Sequence, residues 1–116
     1  MDLTVIHNPK IKAHAGFTNA QFKKLDGLFL QACARKTLSY RTVDCDFDAG
    51  VATYTYFKSE NLSPVIQFII RKVGPNTMMY EVFMHTKGRI KKSGVFDIAF
   101  KRLEEEVRCL EVRGKK

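Results

Sequence analysis

The spacing of apolar residues changes twice along this chain, and those two changes limit what it can fold into. Phe22, Leu25, Leu28, Phe29, Ala32 and Cys33 recur at helical spacing, leaving Lys23, Lys24 and Gln31 mostly outside. From Leu38 the period falls to two: Val43, Cys45 and Phe47 alternate with Asp44, Asp46 and Asp48, the pattern of a strand with one wet and one dry face. Helical spacing returns in Phe96, Ala99, Phe100, Leu103, Val107 and Leu110. A chain written this way is a sheet bracketed by two helices.

The boundaries follow from local chemistry. Thr18 and Gln21 stand at capping-box spacing, and Phe17 and Phe22 at the positions of a hydrophobic staple, so the first helix starts there and runs to about residue 36. After the Val43 to Phe47 alternation, Asp48-Ala49-Gly50 supplies a tight turn into Val51 to Phe57, rich in β-branched and aromatic residues. Val65 to Val73 and Thr77 to Thr86 follow, divided by Gly74-Pro75-Asn76. The second helix is expected from Val95 to Val112, with a frayed basic end at 113–116. The expectation is one α+β domain over residues 1–116, ordered α-β-β-β-β-α, with a four-stranded antiparallel meander packed against two helices. Residues 3–6 fit a short extra N-terminal strand, and His7 to Gly16 reads as a loop. At 116 residues such a chain buries roughly two thirds of its unfolded surface without staples.

Both faces of the third and fourth strands are largely apolar. Val65 and Ile69 oppose Ile66, Phe68 and Ile70, and Met79 and Phe83 oppose Met78, Tyr80, Val82 and Met84. That pattern calls for cover on both sides, and the expectation is a homodimer through the sheet, or one helix on each face, rather than a small-molecule cavity.

Functional signals are fewer. Net charge is +8, and Lys87, Arg89, Lys91 and Lys92 put four cations into six residues, with Gly88 and Gly94 loosening the backbone. This segment reads as a basic loop before a helix, which favours polyanions and phosphates. The competing account is a solvated loop whose lysines keep a sheet edge from aggregating. Tyr54 and Tyr56 project to one side of a strand, with Arg71 and Lys72 able to supply a cationic rim, an arrangement that stacks single-stranded nucleic acid. Core or dimer-interface aromatics are the more common alternative.

Other chemistries find little support. The order GxxxxGK[ST] is absent. Asp44, Asp46 and Asp48 imitate the opening of a calcium loop, but Ala49 and Thr55 occupy the positions where glycine and a bidentate glutamate belong. His7, His14 and His85 lack metal-ligand spacing, and no GxSxG elbow is present, so no catalytic residue, metal or cofactor is expected. Three widely spaced cysteines, no long apolar run and no signal-like N-terminus point to an intracellular, most simply cytoplasmic, protein away from membranes. Two functional readings lead, ahead of a ligand-binding or phosphotransfer enzyme built around His85 and the basic loop. The first is a non-enzymatic nucleic-acid-binding domain for RNA or single-stranded DNA, using Lys87, Arg89, Lys91, Lys92, Arg71, Lys72, Tyr54 and Tyr56. The second is a homodimeric interaction module whose basic surface meets an acidic partner protein.

Overall fold

The computed structural model describes residues 17–59 and 63–114. Helix α1 (Asn19–Ala34) is followed by β1 (Tyr40–Asp46), β2 (Val51–Phe57), β3 (Pro64–Gly74), β4 (Thr77–Met84), β5 (Gly88–Ser93) and α2 (Phe96–Gly114). The strands form one antiparallel sheet in chain order, β1-β2-β3-β4-β5. The α+β class, the meander and the single unit agree with the sequence reading. The expected strand over residues 3–6, the loop to Gly16 and the last two lysines lie outside the described residues.

Local signals act as anticipated. Thr18 Oγ1 accepts from Gln21 N at 3.1 Å while Gln21 Oε1 accepts from Thr18 N at 3.0 Å, closing the capping box that starts α1. At the other end Lys36 turns left-handed (φ 62°), and the amides of Lys36 and Thr37 donate to Cys33 and Ala32 carbonyls that the helix leaves open. Asp46 Oδ1 accepts from Ala49 N in the β1–β2 turn, and Gly50 takes φ 68° with its Cα packed against the Lys72 side chain.

Two expectations are corrected. The basic segment is no loop: Gly88–Ser93 pairs antiparallel with β4 as a fifth, edge strand. Nor do the helices take opposite faces. Ala52, Tyr54, Tyr56, Ile66, Phe68, Ile70, Tyr80, Val82 and Met84 share one face of the sheet and join a single core with Leu25 and Ala32 of α1 and Ala99, Leu103 and Val107 of α2. Phe96 of α2 meets Phe68 and Tyr80 at 5.4 and 5.5 Å, and Phe22 and Phe29 of α1 meet Tyr54 and Tyr56 at 5.9 and 6.2 Å. The opposite face of the sheet carries neither helix. No helix among the described residues is long and apolar enough to cross a membrane.

Candidate functional site on the open face of the sheet

Antiparallel pairing puts partnered residues on the same side, so the register lays out the open face in rows. One row reads Asp44, Thr53, Ile69, Glu81, Lys92 across the five strands, and the next reads Thr42, Thr55, Gln67, Phe83, Arg89. On the other side of the first row lie Asp46, Val51, Arg71 and Met79.

Glu81 organises this face. It interrupts the apolar run of β4, and although neither α1 nor α2 covers it, its side chain is only 5% exposed. A carboxylate that dry must be paired. Arg71 Nη2 reaches one of its oxygens at 3.2 Å and Arg89 Nη1 the other at 3.4 Å, while Lys92 is its cross-strand partner. The two guanidinium groups are nearly half exposed, so each keeps N–H donors turned to solvent beyond those given to Glu81. Three cations around one acid leave this patch with a net positive charge. Phe83, half-buried, sits beside Arg89 as its cross-strand partner, and Gln67 Nε2 donates to Thr55 Oγ1 at 3.3 Å.

The remaining candidates disperse. Lys91 pairs with Val82, whose side chain belongs to the core, so Lys91 leaves the edge strand on the helix-covered side. A register shift between Val82 and Phe83 accommodates Ile90 and places Arg89 and Lys92 on the open face. Lys87 is exposed in the β4–β5 turn, and Lys72 is exposed near the end of β3, its amide donating to Gly50 O at 2.7 Å.

Tyr54 and Tyr56 do not form the stacking surface anticipated for them. Both have zero exposure beneath α1. The Tyr54 hydroxyl donates to Asp26 and that of Tyr56 to Leu25 O at 2.9 Å. Burial drives both phenol pKa values far above normal; for Tyr54 the hydrogen bond to Asp26 adds to the rise and the Arg41 charge opposes it. Arg41 Nε meets Asp26 at 3.1 Å, and its guanidinium lies over the rings of Phe22, Phe29 and Tyr54 at 5.9, 5.9 and 5.6 Å. This network fastens α1 to β1 and β2.

Elsewhere the surface offers less. A groove of about 650 Å³ runs between α1 and α2, floored by Leu28 and Phe100, but its lysines and arginine are interspersed with Asp97, Glu104 and Glu105, and Lys24 is bound to Asp97 at 3.1 Å. His85 borders a cavity of about 150 Å³, well below the size of a small-molecule site. Asp44, Asp46 and Asp48 are exposed, and no group of three His, Cys, Asp or Glu side chains among the described residues is placed to hold a metal ion. No family model matches the chain, and neither a curated protein nor a solved structure matches it.

Proposed function

We propose that this protein is a small non-enzymatic nucleic-acid-binding domain that holds single-stranded RNA or DNA against the open face of its sheet. The observation that carries this reading is the pair of half-exposed guanidiniums of Arg71 and Arg89, held by the buried Glu81 carboxylate on the face that neither α1 nor α2 covers. Guanidinium forks suit phosphate, and fixing them beforehand lowers the entropy lost on binding. In this role Arg71, Arg89 and Lys92 take phosphates, Lys87 and Lys72 extend the positive rim, and Phe83 replaces Tyr54 and Tyr56 as the ring on which a base stacks. The exposed acids of β1 repel phosphate, so the strand is confined to the β3–β5 half.

Fluorescence anisotropy with labelled single-stranded RNA, single-stranded DNA and duplex DNA over a salt series tests this. The expected result is preference for single strands, with log K falling by about 0.7 per phosphate contact against log salt. The double change Arg71→Ala, Arg89→Ala should flatten that slope by about 1.4. Binding that ignores salt or the double change overturns the reading. A second reading, a homodimeric interaction module that also meets acidic partners, is favoured by the uneven charge on the same face: acids on β1, cations on β3 and β5.

A further inference from the structure

A twisted sheet is a saddle, and a two-fold axis lying along its central strand carries that saddle onto itself. Two copies can therefore stack face to face with their surfaces following one another, the aligned packing of β-sandwiches. Here the central strand is β3. Rotation about an axis parallel to it sets β1 of one copy over β5 of the other and β2 over β4, and keeps each row of side chains opposite its own row.

The row through Ile69 then decides the matter. Asp44, at its β1 end, falls against Lys92, at its β5 end, twice by symmetry; Thr53 falls against Glu81, and Ile69 against its own copy. The other in-plane two-fold, perpendicular to the strands, lays β1 on β1 and brings acids against acids, so electrostatics rejects it. Arg71 meets its own copy on the favoured axis, but each Arg71 brings its own Glu81 carboxylate at 3.2 Å. Around Ile69, itself only 9% exposed, Thr53, Thr55 and Gln67 are uncharged, so the charges that meet across the copies lie towards the β1 and β5 edges and at the paired Arg71–Glu81.

We infer that the open face docks a second copy of this chain about a two-fold axis along β3, with Asp44 of each copy paired to Lys92 of the other. This rests on the self-association reading above and deepens it by naming the occupant, the axis and the ion pair. It also makes self-association and nucleic-acid binding mutually exclusive, because the second copy covers Arg71 and Arg89. On this inference the monomer is the form that binds nucleic acid.

Light scattering over a concentration series at low salt tests the inference with the wild-type chain, Asp44→Lys, Lys92→Asp and the double change. Asp44 and Lys92 are both exposed, and matching urea midpoints would confirm that all four fold alike. The expected result is a wild-type mass of twice 13.3 kDa, at least about tenfold weaker dimerisation in each single variant, and recovery in the double variant, where the charges are exchanged and again complementary. A monomeric wild type, single variants that dimerise as well as wild type, or a double variant that fails to recover overturns it. Adding labelled RNA keeps the two readings apart: a chain that stays monomeric yet binds RNA defeats the dimer alone, whereas a dimer with no RNA affinity at any concentration defeats the nucleic-acid reading alone.

Discussion

The two faces of this sheet are built from the same five strands, alternate residue by alternate residue, and they solve opposite problems. The covered face is closed by size: Tyr54, Tyr56 and Phe68 have no exposure, and the tyrosine hydroxyls find Asp26 and Leu25 O on α1. The open face is closed by charge. Thr55, Ile69 and Glu81 are buried there although neither α1 nor α2 lies over them, and the Glu81 carboxylate is paired with Arg71 and Arg89. A face that packs helices needs apolar volume; one that keeps cations fixed while leaving them reachable needs a buried counter-charge and no cover. On the proposed reading, stability and recognition are separated across the thickness of one sheet.

That separation can be broken or sharpened in order of effect. Phe68→Ala, on the covered face, should cost about 3–5 kcal/mol in urea unfolding, because the ring leaves a cavity among Phe17, Tyr80 and Phe96. Alkaline pH provides an intermediate perturbation. The folded pKa values of Tyr54 and Tyr56 lie above the unfolded value near 10, so their contribution is fully present below that pH and falls as pH rises past it, since only the unfolded chain ionises there. Urea midpoints measured between neutral pH and pH about 11 should decline, and the folded chain should form less tyrosinate than the unfolded chain because Tyr54 and Tyr56 stay neutral. Phe83→Ala, the open-face counterpart of the first change, should cost only about 1 kcal/mol because its ring is only partly buried, yet it should weaken single-strand binding. If Phe83→Ala proved as destabilising as Phe68→Ala, the division of labour between faces would collapse.

Much of the architecture was legible in the residues. Thr18 and Gln21 announced α1, the alternation from Val43 to Phe47 announced β1, and Gly50 announced the first hairpin, because each signal is local. The fifth strand was hidden because Arg89, Lys91 and Lys92 make a cationic, polar run and Gly88 reads as a loop; pairing with the apolar β4 overrides those preferences. The sidedness of β2 was hidden as well. Both Tyr54–Tyr56 and Thr53–Thr55 form acceptable faces, and only the position of α1, with Asp26 and Leu25 O waiting for the hydroxyls, selects the tyrosines for burial. Of the candidate site, Arg71, Arg89 and Lys92 were found, but not what unites them. The missed signal was Glu81, a lone acid inside the apolar run Met78–Met84, which needs cationic partners wherever that strand lies.

The central claim is that the open face is the binding face, and chemical-shift mapping of the backbone amides on adding short single-stranded RNA tests it most directly. The account predicts that Gln67, Ile69, Arg71, Glu81, Phe83 and Arg89 shift together while Lys23, Lys101 and Arg108 stay in place. Shifts gathered in the groove between α1 and α2, with the open face unmoved, would contradict it.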